Sequence, residues 1–207
     1  MVQYGSWTLY SWAMRSPGQR AGLSRPVVVT AARAVLDDGA SFSMRAVAGR
    51  LGVAPNALYS HVDGRDGLLD AVLDDLLGAL PTPDDGDPRA GLVELMTATH
   101  ELLLAHPRLV PHFVARQGSR GPNAQRLGET MRTCLAAAGV RDRAAQDTAV
   151  RVLVVHAIGN AALGAAADGA PLPPEVLRTT YAAGLAWLVD GALGSAAAPE
   201  RRAPSVG

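Results

Sequence analysis

Phe42 to Leu69 reads FSMRAVAGRLGVAPNALYSHVDGRDGLL, and the rest of the chain is organised around it. The spacing predicts a short helix over Met44 to Leu51, with Ser43 available as its cap. Val47 and Leu51 lie one turn apart and share a buried face. Gly52 sits where the chain must reverse, a position that often needs φ > 0. Pro55 suits the first turn of a second helix, where a missing N–H costs nothing. Leu58 and Val62 then face back toward Val47 and Leu51. Asn56, Ala57, Tyr59, Ser60 and His61 are left facing outward. This is the layout of a helix-turn-helix, whose second helix fits a DNA major groove.

Three short strings carry a resemblance to a known family. They are Met44-Arg45-x-x-Ala48-x-x-Leu51-Gly52-Val53, Ala57-Leu58-Tyr59-x-His61-Val62, and Leu68-Leu69-Asp70. On them the chain resembles the tetracycline-repressor (TetR) family, specifically across Ser24 to Leu80 and by helical layout beyond. The resemblance implies an all-α fold of about nine helices. A three-helix helix-turn-helix domain would be joined to a larger helical domain for ligand binding and dimerisation.

In that resemblance Arg45 matches a residue that reads a guanine edge. Pro55, Asn56 and Ala57 open the reading helix. An Asn amide can pair with adenine and an Ala methyl can touch thymine. Tyr59 and His61 resemble the family's phosphate-contact pair, with Ser43 and Arg65 expected beside them. Phosphate contacts fix register without reading bases. Two departures stand out. Arg65 replaces a common Lys and is flanked by Asp63 and Asp66, and Ser60 replaces a bulky aromatic. The competing readings are a solvated, phosphate-only Arg45 and a capping Asn56.

The 207 residues carry zero formal net charge, so the whole chain lacks a nucleic-acid signature. The distribution is more informative. Arg15, Arg20, Arg25, Arg33, Arg45 and Arg50 face only Asp37 and Asp38 over the same span. A small DNA-reading module needs such local basic charge. There is no Lys; every basic side chain is an Arg. A single Cys134 excludes an internal disulfide and suits a reducing cytoplasm. No membrane span or signal peptide is expected.

Four segments follow. Residues 1–23 read as a disordered extension, a start assigned too early, or an arm whose arginines reach DNA. Residues 24–80 hold the reading domain, ending in an apolar connector helix from Arg65 to about Leu80. Pro81-Thr82-Pro83-Asp84-Asp85-Gly86 marks the boundary. Residues 87–193 form the helical core, where Asp87-Pro88 and Asp142 start helices. Residues 194–207 read as a frayed tail.

The core shows no nucleophile–base pair, phosphate loop or dinucleotide fingerprint, so no enzyme and no cofactor are expected. Its histidines match no zinc spacing. Met96, Thr99, His100, Leu103, His112, Phe113, Arg116, Met131, Leu135, Val152, His156 and Asn160 are the candidate walls of a small-molecule pocket. Ordinary core packing is the competing reading for most of them. The resemblance places a metal-assisting His near His112, one residue out of register, and no metal is expected here.

Small residues on the last two helices let them approach closely. Gly159, Ala162, Leu163 and Ala166 on one, with Leu185, Leu188 and Val189 on the other, are the expected homodimer seam. The expectation is a homodimeric, ligand-released repressor of a palindromic double-stranded operator. One alternative is a constitutive binder or activator with no inducer. Another is an enzyme or carrier with a vestigial reading head.

Overall fold

The computed structural model describes residues 22–84, 86–116, 121–165 and 170–194. The expected N-terminal arm up to residue 21, the tail from residue 195, and Ala166 lie outside the described residues. Within them the chain forms eight α-helices and one 3₁₀ helix, with no strand. These are α1 (Arg25–Asp37), α2 (Met44–Leu51), η1 (Pro55–Ser60), α3 (Gly64–Leu77), α4 (Pro88–Ala105), α5 (Val110–Ala115), α6 (Pro122–Ala137), α7 (Arg143–Gly164) and α8 (Pro174–Gly194).

Local chemistry sets most boundaries. The Ser43 hydroxyl accepts the Ala46 N–H at 3.1 Å and opens α2. Gly52 ends it at φ 67°, which lets the Val53 N–H reach the Ala48 carbonyl at 3.0 Å. Asp87 accepts the Arg89 N–H and Asp142 accepts the Ala145 N–H, capping α4 and α7. Ser24 and Asp63 precede α1 and α3 without a side-chain cap bond. At α1, Pro26 leaves one fewer N–H for a cap to bind.

Two elements differ from the sequence expectation. The second helix of the motif is a six-residue 3₁₀ helix, not an α-helix. It is bounded by Pro55 and by His61, whose N–H bonds the Leu58 carbonyl three residues back. The connector α3 ends at Leu77, and Gly78 to Leu80 follow as a tight turn.

Two apolar cores result. The first joins α1, α2, η1 and the inner face of α3 around Val28, Val47, Leu58, Leu68 and Val72. The second joins α4, α6, α7 and α8 around Leu92, Met96, Leu135, Leu153, Tyr181 and Val189. Phe113 and Leu102 pack against both. Leu109, fully buried, belongs to the first core although it lies in the turn between α4 and α5. Arg108 beside it donates to the Asp37 carbonyl at 2.7 Å. The reading head is therefore held by α3 and also by this turn.

Helices α7 and α8 pair antiparallel. His156 meets Gly184, Asn160 meets Thr180 and Gly164 meets Leu177. A Cβ at Gly184 would lie 2.6 Å from the His156 ring, so the missing side chain permits this approach.

Candidate nucleic-acid interface and ligand cavity

The reading head presents Arg45, Pro55, Asn56 and Tyr59 to solvent, with Tyr59 55% exposed. Ala57 and His61 are half-buried beside them. Leu58 is fully buried and pins η1 against α2. Arg45 stands in the first turn of α2, directly after the Ser43 cap. Among the described residues two acids, Asp63 and Asp66, flank this face. Ser43 is occupied with capping, and Ser60 donates back to the Ala57 carbonyl at 3.0 Å. Arg65 donates to the Phe42 carbonyl at 3.3 Å, sits over the Phe42 ring and pairs with Asp66. It still leaves half of its side chain exposed. The flanking acid thus engages Arg65, in line with the sequence reading, without burying it.

A second feature lies below the head. A cavity of about 820 Å³ opens between α3, α4, α5, α6 and α7, within the size range of ligand sites. Of the candidate pocket residues, Met96, Thr99, Leu103, Phe113, Arg116 and Met131 line it. Leu73, Leu77, Leu95, Val154 and Ile158 add apolar wall, and Asp70, Asp74 and Arg126 add charge. The Thr99 hydroxyl donates to the Leu95 carbonyl at 2.8 Å.

The connector forms one wall of this cavity through three polar links. Asp70 forms a two-pronged ion pair with Arg116 at the end of α5. Asp74 accepts the Asn123 and Ala124 N–H groups at 3.2 and 2.9 Å, so it caps α6 from outside. Arg126 of α6 donates to the Leu77 carbonyl at the end of α3 at 3.2 Å, and to the Thr82 hydroxyl at 3.3 Å. Helices α3 and α6 thus satisfy each other's terminal backbone groups. Sequence reasoning missed Asp70, Asp74 and Arg126. The i, i+4 spacing of the two aspartates on an apolar helix was the available signal.

The remaining pocket candidates lie elsewhere. His100 is buried and stacks on Tyr181 at 3.9 Å. Its Nε2–H donates to Asn160 Oδ1 at 2.8 Å, and Asn160 donates to Thr180. His156 covers Tyr181 at 4.8 Å and bonds the Tyr181 carbonyl. Tyr181 OH donates to the Met96 carbonyl at 2.8 Å. This polar cluster ties α4, α7 and α8 together instead of facing the cavity. Burial lowers the His100 pKa and raises that of Tyr181. Leu135 is consumed by the second core, and Val152 is 42% exposed on the outer side of α7. His112 faces a groove with Arg65 and Arg108 under the head; burial lowers its pKa, and Arg65 and Arg116 lower it further.

No family model matches the chain. An HTH-type transcriptional regulator of Saccharopolyspora erythraea is 35% identical over 121 residues, which is 56% of this chain and 51% of that protein. The match therefore spans about half the length of that relative. ActR, a TetR family protein of Streptomyces coelicolor solved with (S)-DNPA, superposes with a TM-score of 0.73 at 23% identity, over 85% of this chain and 100% of that one. BioQ of Mycobacterium smegmatis is 30% identical over 83% of this chain and 99% of that chain, with a TM-score of 0.71. BioQ has also been solved with its double-stranded DNA operator, at 29% identity and a TM-score of 0.69 over the same shares. The chain belongs to the TetR family of transcriptional regulators.

As a TetR-family chain it is a helix-turn-helix, DNA-binding transcription regulator. Its seam candidates divide into three sets. Leu185 and Val189 are buried in the subunit's own second core, because α8 turns that face onto α4 and α7. Leu188 and Ala162 are half-buried at its edge. Gly159 and Leu163 are exposed, in one stripe with Val152 and Val155. Trp187, at 78% exposure on α8, was not among the candidates. No described helix is long and apolar enough to cross a membrane.

Proposed function

We propose that this regulator binds a palindromic operator as a homodimer and that a small molecule in the cavity releases it. The observation that carries the reading is the reciprocal capping between α3 and α6. Asp74 and Arg126 both line the cavity and both hold the helix that leaves the reading head. A ligand that displaces either one moves α3 and changes the spacing of two reading heads. Only conformers with heads one groove repeat apart, or a multiple, keep specific affinity. The ligand must therefore prefer the released conformer.

The cavity favours this reading over a constitutive binder, which needs no enclosed volume. In the proposed arrangement Arg45, Pro55, Asn56 and Ala57 read bases, while Ser43, Tyr59, His61 and Arg65 hold phosphates. The dimer forms through the exposed stripe of α7 (Val152, Val155, Gly159, Leu163) and the α8 face carrying Trp187. A bare tryptophan beside a stripe of exposed aliphatics is apolar surface that a second copy would remove from water.

A gel-shift on the chain's own upstream DNA, with and without candidate small molecules, tests the proposal. It expects a shift that one class of compound reverses. A shift that no compound alters would favour the constitutive alternative.

A further inference from the structure

Resting on that ligand-responsive reading, we infer that the ligand is an elongated aliphatic molecule ending in a single anionic group, and that the group docks on Arg126. The cavity body is aliphatic, lined by Leu95, Met96, Leu103, Met131, Val154 and Ile158. Among the described lining residues Phe113 is the sole aromatic. A flat polycyclic ligand would find only one ring to stack on, whereas a flexible chain needs only apolar surface.

The charges at the rim decide the sign of the head group. Each acid there is engaged. Asp70 pairs with Arg116. Glu129 and Asp147 alternate with Arg132 and Arg143 across the α6–α7 gap. Asp74 is held by the two N–H groups that open α6. A cationic ligand would have to break one of these arrangements to find a partner. Arg126 differs. It is half-buried, lines the cavity, and among the described residues has only neutral acceptors, the Leu77 carbonyl and the Thr82 hydroxyl. No carboxylate of the described residues lies within ion-pair distance of it. A partly buried guanidinium held by neutral groups gains most from an incoming anion, which it can grip with two parallel N–H donors.

The same contact explains how binding could be felt at the head. An anion on Arg126 competes with the Leu77 carbonyl, so docking frees the last turn of α3.

The test uses the full chain, with dodecanoate, dodecanol and dodecylammonium as probes of one chain length and three charges. Calorimetric titration should show dodecanoate binding about tenfold or more tightly than the other two. In Arg126→Gln that preference should collapse while dodecanol affinity holds, and Arg126→Lys should retain part of it. The ratio within each variant does not depend on a small loss of stability. Failure of dodecanoate to bind, equal binding of all three, or an undiminished preference in Arg126→Gln would overturn the inference. Release of upstream DNA is read in parallel. If dodecanol or dodecylammonium releases DNA and dodecanoate does not, ligand response stands and the anionic assignment falls. If dodecanoate binds with the expected preference and DNA stays bound, the anion site stands and the release reading falls.

Discussion

The carboxylate of Asp74 accepts the backbone N–H of Ala124 at 2.9 Å, across the gap between the connector and α6. A side chain on one helix here does the work usually done by a residue at the start of the other. Removing it leaves two N–H groups of α6 without their partner. Asp74→Ala should lower unfolding stability by about 1 kcal/mol, as loss of a helix cap does. It should also shift ligand-free operator affinity, because α3 loses one of its anchors. Gly121→Ala offers an independent route, since a Cβ there would collide with the Asp74 carboxylate. Urea denaturation and operator titration should show the two variants moving together. A neutral Asp74→Ala would disprove the coupling.

His100 predicts a pH response. Burial disfavours its charged form, so its folded pKa lies below the ordinary histidine value near 6.5. His112 is lowered for the same first reason. The unfolded chain therefore takes up these protons before the folded one does. Stability is full above about pH 6.5 and declines as pH falls through that value toward the lower folded pKa values. His100→Phe keeps a ring against Tyr181 but removes the titration, so its stability should fall less steeply with acid. Urea midpoints at pH 7.5 and pH 5.5 would show it; an unchanged slope would assign the acid sensitivity elsewhere.

On the DNA face, Arg45 and Arg65 should behave differently. Arg45→Ala is expected to cost about 1–3 kcal/mol of discrimination and to relax one operator position. Arg65→Gln should weaken all sequences alike and flatten the salt dependence by about 0.9 in slope per subunit, so about 1.8 for the dimer. Competition binding against single-base operator variants at several salt concentrations separates them. The enzyme-or-carrier alternative needs Arg45→Ala and Tyr59→Phe to leave function intact.

The outer face of α7 and α8 gives a contrast between seam and core. Trp187→Glu and Leu163→Arg place charge on exposed surface, so each should yield a folded monomer with weak operator binding. Leu185→Ala opens a hole in the second core and should cost about 2–5 kcal/mol within the subunit. Sedimentation velocity with thermal melts would test this. A dimer that survives Trp187→Glu would move the seam elsewhere.

The reading head was legible because its signals are local. A Ser cap, a left-handed Gly52, Pro55 and two spaced apolar pairs each act within a few residues, and they place α1, α2 and α3 within a residue or two at most boundaries. The 3₁₀ geometry of η1 was not legible, since an eight-residue window between Pro55 and Val62 fits either helix type. The cavity was legible by half. Apolar residues such as Met96, Leu103 and Met131 have the periodicity of an inward face, but so do Leu135 and Leu185, which pack into the core. Helix rotation decides between core and cavity, and no local pattern reports it. The polar histidines misled for a related reason. His100 and Asn160 lie sixty residues apart and satisfy each other, so polarity in an apolar wall meant pairing, not a ligand.

One measurement bears on the whole account. DNase footprinting on the chain's own upstream DNA should protect two symmetric half-sites whose centres lie about 34–36 Å apart or a multiple of it. Arg45→Ala should raise the protein concentration needed for the pattern by about tenfold or more, in keeping with a lost base contact in each half-site, while the folded protein persists. A single unpaired half-site, or a footprint that Arg45→Ala leaves intact at the same protein concentration, would contradict the dimeric helix-turn-helix reading.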